Sequence, residues 1–213
     1  AHQRLSVIDL SDTGHQPMKS SNGRYVIAYN GEVYNFKELK AELAAAGARF
    51  HGHSDTEVIL EGCALWGIET LLHRLNGMFA FAIHDARRGQ LFMARDRAGE
   101  KPLFYALTGE TLRFASELKA LLAAPTFPRR VDHEALDCYL AMGFVPGDRC
   151  ILAGTKKLPP AHAMVFDIAT GRSRVWRYWE VPHLDQAGVG ASVDEVELLD
   201  ELESLIEDAV RRQ

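Results

Sequence analysis

The sequence predicts a layered α+β sandwich, and two observations carry that prediction. The first is a series of paired apolar runs joined by short turns. Met78 to Ile83 and Gln90 to Ala94 flank Ala86-Arg87-Arg88-Gly89, Pro102 to Leu107 and Thr111 to Ala115 flank Thr108-Gly109-Glu110, and Ala163 to Ile168 and Arg174 to Trp179 flank Thr170-Gly171. Runs joined so closely form antiparallel hairpins. The second is that helical signals also come in pairs, one pair before the first of these hairpins and one between the second and the third. Antiparallel strands with apolar faces must be covered, and helices segregated along the chain supply the cover.

The elements follow in order. In Arg4-Leu5-Ser6-Val7-Ile8-Asp9, Leu5 and Val7 alternate with polar Arg4 and Ser6, which reads as a strand entered without a turn or cap. A preceding segment is therefore expected. Tyr25 to Tyr29 is a second strand, broken by Asn30-Gly31. Asn35 with Glu38 forms a capping box for a helix with apolar face Phe36, Leu39 and Leu43, stopped by Gly47. Ser54 and Glu57 repeat the box ahead of Val58, Ile59 and Cys63, in a helix ending near Gly67. Ser116 to Leu122 and Asp132 to Met142 are helical as well. Residues 1–181 make one domain, and Pro182 to Ala191, with Gly188 and Gly190, is a linker. Ser192 and Glu195 then cap a helix with the stripe Leu198, Leu202, Leu205 and Ala209. Residues 192–213 read as the first helix of another domain, because such a stripe needs burial.

Composition narrows the class. Of the 213 residues 47% are hydrophobic, enough for a substantial core, and the net charge of −5 leaves no basic footprint for nucleic acid. No apolar run approaches the roughly 20 residues that span a bilayer, and the opening Ala1-His2-Gln3-Arg4 is not a signal peptide. Cys63, Cys138 and Cys150 are odd in number and widely spaced, which points away from a disulfide framework and towards a reducing cytoplasm. His51-Gly52-His53 lacks a third ligand nearby, so no metal site is assigned.

A site for a free amino acid needs a guanidinium for its carboxylate, carboxylates for its ammonium and donors for a reacting amide oxygen. Arg4, Asn30-Gly31-Glu32 and Asp55 offer these types near strand ends and turns. Their surroundings sharpen the reading. Arg4-Leu5-Ser6-Val7-Ile8-Asp9-Leu10 with Gln16-Pro17-Met18, then Tyr29-Asn30-Gly31-Glu32-Val33-Tyr34-Asn35 and Ser54-Asp55-Thr56-Glu57, form an ordered set of motifs. Leu75-Asn76-Gly77-Met78-Phe79-Ala80-Phe81-Ala82, Ala94-Arg95-Asp96-Arg97, Lys101-Pro102-Leu103-Phe104-Tyr105 and Ser116-Glu117-Leu118-Lys119-Ala120-Leu121 extend it. The set resembles class II glutamine amidotransferases, and within them the glutaminase domain of glutamine-hydrolysing asparagine synthetases.

The resemblance implies an N-terminal-nucleophile-hydrolase fold, a four-layer α/β/β/α sandwich with two antiparallel sheets. It places the glutamine carboxylate on Arg4, with backbone around Val7 lining the pocket, the oxyanion hole on Asn30 and Gly31, and the amino end on Glu32 and Asp55. Leu158-Pro159-Pro160-Ala161-His162 resembles a further motif that usually has glycine where Ala161 stands, and it reads as a domain-closing turn. The family nucleophile is a cysteine at the mature N-terminus whose α-amine is the base. This chain begins with Ala1, its cysteines are internal, and Cys63 and Cys138 read as buried structural thiols. The 213-residue chain by itself is therefore expected to be inactive.

The expected whole is a cytoplasmic ligase. This part hydrolyses L-glutamine without a cofactor, and a further domain uses ATP and Mg to amidate aspartate. A homodimer is one assembly the resemblance allows. Two alternatives stay open: an amidotransferase for a polysaccharide or antibiotic precursor, and a non-catalytic binding module that has lost its cysteine.

Overall fold

The computed structural model describes His2, residues 12–182 and residues 194–212. The expected strand at Arg4 to Asp9, and most of the expected linker, lie outside these residues. The chain divides into two units, Ala1–Trp179 and Glu180–Gln213.

The first unit is built on a six-stranded antiparallel sheet. Its strands are β1 (Met18–Lys19), β2 (Tyr25–Val33), β3 (Gly77–Asp85), β4 (Gln90–Arg95), β8 (His162–Asp167) and β9 (Ser173–Arg177), adjacent in that order. Between β4 and β8 the chain leaves this sheet and builds a second one, with β5 (Phe104–Thr108) between β6 (Thr111–Ala115) and β7 (Thr155–Lys157). Helices α1 (Phe36–Ala45), α2 (Asp55–Trp66) and α3 (Ile68–Arg74) join β2 to β3, and α4 (Leu118–Leu122) and α5 (His133–Met142) join β6 to β7.

Side-chain size along β3 shows how the layers are specified. Phe79, Phe81 and Ile83 point to one face and pack with Leu39, Leu43, Val58, Ile59, Leu60, Leu71 and Leu72 of α1, α2 and α3. Ala80 and Ala82 point to the other and pack with Met93, Met164, Leu103 and Leu158. Large residues thus fill the helix–sheet layer, and small ones let the second sheet come close. A third core of Ala106, Leu121 and Phe127 lies between the second sheet and α4. The result is the expected four-layer α/β/β/α sandwich with two antiparallel sheets.

The exit from the first sheet is held by Arg95 and Asp96. Fully buried Asp96 accepts from the N–H groups of Phe79, Glu100 and Lys101 at 3.1, 2.9 and 3.0 Å. The Arg95 guanidinium donates to the carbonyls of Gly99, Lys101 and Leu158. That motif carries the turn between sheets.

Several local expectations change. Asn30-Gly31 does not break β2, which runs on to Val33. Asn35 makes no side-chain cap for α1. Its Nδ2 donates to the Arg74 carbonyl at 2.9 Å and its Oδ1 accepts from Asn76 N–H at 3.0 Å, fastening the start of β3 instead. Ser54 does cap α2, accepting from Glu57 N–H at 3.3 Å, but the Glu57 carboxylate reaches out to His51 and Gly52 N–H at 2.7 and 2.9 Å. Cys138 is only half-buried, because α5 buries just Ala135. Ala161 has φ 59°, the left-handed conformation that favours the family's glycine. The β1, β7 and α3 elements were too short to show a period.

In the second unit α6 (Glu195–Arg212) buries none of its side chains. Its start is bonded by Asp194, whose Oδ1 accepts from Val196 N–H at 2.9 Å, whereas Ser192 lies outside the described residues. Among the described residues no helix is long and apolar enough to cross a membrane.

Candidate active site

Strand β2 presents a row of backbone donors on the side away from β3, because alternate N–H groups of an antiparallel strand face opposite neighbours. Their acceptors can be followed one by one. Tyr25 N–H donates to Ser20 Oγ at 3.0 Å, and Ile27 faces Met18 of β1. β1 then ends. Tyr29 N–H donates to the Gln16 side-chain oxygen at 2.6 Å, and Val33 N–H to Asp55 Oδ2 at 3.0 Å.

Gly31 lies between those last two. Its partner in β3 is Phe79, whose N–H donates to Asp96 Oδ2 at 3.1 Å and whose carbonyl accepts from Asp96 N–H at 2.8 Å. Gly31 and Phe79 are therefore a non-hydrogen-bonded pair, and the Gly31 N–H is turned to the open edge. Among the described residues nothing on that edge accepts from it. It is one donor left over in a row otherwise satisfied, as an oxyanion site requires.

The glycine is dictated by the neighbouring strand. A Cβ on Gly31 would sit 2.1 Å from the Met78 carbonyl oxygen, and a Cβ on Gly77 would sit 2.1 Å from the Glu32 carbonyl oxygen. The two strands press together reciprocally around the Glu32–Met78 pair. Asn30 projects from the face opposite Tyr29, where its Nδ2 is 3.5 Å from Ser116 Oγ at the end of β6. That contact is long, so the amide remains available as a donor. Glu32 is half-buried, and its carboxylate makes no hydrogen bond or ion pair among the described residues.

Asp55 is placed by the start of α2 and is only 5% exposed. Its Oδ2 accepts from the Tyr29 hydroxyl at 2.6 Å as well as from Val33 N–H, and its Oδ1 accepts from Thr56 N–H at 2.9 Å. Burial pushes its carboxyl up from the ordinary aspartate range, while the Tyr29 and backbone hydrogen bonds oppose that shift. Among the described residues these three bonds fill three of a carboxylate's roughly four acceptor positions, and the Asp55 backbone N–H also bears on it. Asp55 thus brackets Gly31, holding residues two before and two after it.

Asn30, Gly31, Glu32 and Asp55 come together on this strand edge, while Arg4 and Val7 lie outside the described residues. Sequence reasoning gave no role to Tyr29 or Gln16. Both lie inside motifs quoted for the resemblance, and the only sequence signal for them was a polar group on or beside a core strand. Two of the three internal cysteines, Cys63 and Cys150, are buried and poorly suited to attack. Cys63 is 2% exposed, and burial pushes its thiol up to about 12. It lies eight residues beyond Asp55, about 12 Å along the helix. Burial also raises the Cys150 thiol.

Comparison with known proteins gives the family and the fold. A family profile described as a glutamine amidotransferase domain matches residues 1–179. The glutamine-hydrolysing asparagine synthetase 3 of Bacillus subtilis is 42% identical over 219 residues, covering 100% of this chain and 34% of that protein. Asparagine synthetase 2 of the same organism is 33% identical over 218 residues, covering 100% of this chain and 29% of that protein. The chain thus spans about a third of the length of these relatives. Among solved structures, the glutamine phosphoribosylpyrophosphate amidotransferase of Bacillus subtilis superposes with a TM-score of 0.58 at 21% identity, covering 84% of this chain and 34% of that one. That likeness shows a common fold, the N-terminal-nucleophile sandwich. The open donor at Gly31, the residues around it and the match over residues 1–179 lead to one assignment: the chain belongs to the class II glutamine amidotransferase family and is homologous to the glutaminase domains of asparagine synthetases.

Proposed function

We propose that this domain binds L-glutamine and hydrolyses its side-chain amide, releasing ammonia for an ATP-dependent amidation of aspartate to asparagine. The observation that supports the hydrolytic reading best is the Gly31 N–H, without an acceptor among the described residues, beside the Asn30 amide. Together they offer donors to a carbonyl oxygen whose negative charge grows during attack. Glu32 and Asp55 receive the ammonium, and Arg4 the carboxylate. A thiolate adds to the amide carbon, the tetrahedral intermediate expels ammonia, and water cleaves the thioester to glutamate. The attacking thiol is the family's N-terminal cysteine. The synthetase reading rests on the relatives' names, and in it ATP, Mg and aspartate belong to a further domain.

Ammonia release tests the hydrolytic reading on three proteins. They are the 213-residue chain, the chain joined to a family-like opening segment with cysteine at its processed terminus, and that longer chain with Cys63, Cys138 and Cys150 changed to serine. The first is expected to be silent, the second active, and the third close to the second, because buried thiols contribute packing rather than chemistry. Hydrolysis by the 213-residue chain, or its loss in a well-folded serine variant, would move the nucleophile to an internal cysteine.

In the cysteine-bearing protein Asp55→Asn should raise the KM for glutamine roughly ten- to hundredfold, since a hydrogen bond to a charged group contributes about 1.5–3 kcal/mol. Steady-state kinetics measures this. An unchanged KM removes Asp55 from the ammonium site.

A further inference from the structure

Tyr29 lies in the core layer, yet its hydroxyl is spent on a carboxylate. It is 4% exposed, packs among the residues between the first sheet and α1 to α3, and donates to Asp55 Oδ2 at 2.6 Å. The same Oδ2 accepts from Val33 N–H, and the Tyr29 backbone N–H is held by Gln16. Tyr29 therefore joins three things: the strand carrying Asn30 and Gly31, the Gln16 side chain that continues the sheet edge past β1, and the carboxylate at the start of α2.

We propose that Tyr29 is the positioning residue of the ammonium site, orienting the Asp55 carboxylate towards the α-ammonium of glutamine. This deepens the glutamine reading above and rests on it. The physical need is clear. A nearly buried carboxylate tends to take up a proton, and a protonated Asp55 gives up its charge–charge attraction for an ammonium. A neutral hydroxyl donor holds the ionised form without supplying a competing positive charge, which a lysine or arginine in that place would do. Burial and the negative charge of Asp55 both push the Tyr29 phenol well above its ordinary value, so it stays a donor at every working pH. Among the described residues the other titratable groups whose charge bears on this pair are Glu32 and Tyr34 of the same chain segment. Neither donates a side-chain hydrogen bond to Asp55, so neither replaces the hydroxyl.

The test compares two ligands on the 213-residue chain and on its Tyr29→Phe variant, with Kd read from amide NMR titrations. The ligands are L-glutamine and glutaramate, which is glutamine without its α-ammonium. The unaltered chain is expected to prefer glutamine. Tyr29→Phe is expected to weaken glutamine about tenfold and leave glutaramate unchanged. It should also move the acid limit of glutamine binding to higher pH, because removing the donor raises the Asp55 pKa further and affinity is then lost earlier as pH falls. In an Asp55→Asn background the same substitution should add nothing. Equal weakening of both ligands, or of neither, overturns the positioning role. If the unaltered chain binds glutamine no better than glutaramate, the ammonium reading itself fails, which is a different result. Phenylalanine keeps the ring in the core. Should that variant unfold, the Asp55→Asn chain alone decides: it must lose the preference for glutamine, and keeping it overturns the proposal.

Discussion

Gly31→Ala is expected to destabilise the domain by about 3–5 kcal/mol, from overpacking and an unfavourable backbone conformation together. The new methyl group would fall 2.1 Å from the Met78 carbonyl oxygen and 2.7 Å from the Phe79 Cα, both backbone atoms of a central strand. No side-chain rotation relieves such a contact, so β2 must move away from β3, and the N–H and Asn30 amide move with it. Urea unfolding followed by near-ultraviolet signals measures the loss, and glutaminase activity in the cysteine-bearing protein should vanish with it. Gly89→Ala is the control. It has φ 62°, in the turn between β3 and β4, and nothing lies within 4 Å of its added Cβ. It should cost only about 1 kcal/mol, from the left-handed conformation alone. If both glycines prove equally tolerant, the close approach of β2 and β3 is not what fixes Gly31.

These two glycines also show what the sequence could and could not reveal. Gly89 sits between two alternating runs, where a turn signal means a turn. Asn30-Gly31 has the same turn-like composition but lies inside β2, and local reasoning read it as a break. The information that keeps the strand going is in Met78 and Phe79, far along the chain, whose backbone crowds the glycine. The hairpins and the α2 cap were legible because their signals are local: Asp85, for example, holds the β3–β4 turn through the Arg87 and Arg88 N–H groups. The pairing of β4 with β8 was not, because a whole second sheet intervenes between them. The same distinction runs through the site. Asn30, Gly31, Glu32 and Asp55 are proposed from their motifs, and the structure places them on or beside one strand edge. The hydrogen bond from the Tyr29 hydroxyl on β2 to Asp55 at the start of α2 exists only after folding.

Asn30→Ala in the cysteine-bearing protein should lower kcat for glutamine about a hundred- to thousandfold with little change in KM, as loss of one oxyanion donor does elsewhere. The structure gives two grounds for that split. Asn30 projects from the face of β2 opposite Tyr29, so removing its side chain leaves the Tyr29–Asp55 hydrogen bond in place. Its one side-chain hydrogen bond among the described residues, with Ser116 at 3.5 Å, is weak, so little folding stability is at stake. Ser116→Ala separates orientation from donation and should cost less than about fivefold in kcat, because a contact so long contributes little. Asn30→Asp is the sharper variant. It keeps the size and removes both amide hydrogens, placing an acceptor where negative charge develops, so it should fall at least as far as alanine. A defect confined to KM in either Asn30 variant would place the residue on bound glutamine and leave Gly31 N–H as the donor that meets the growing charge.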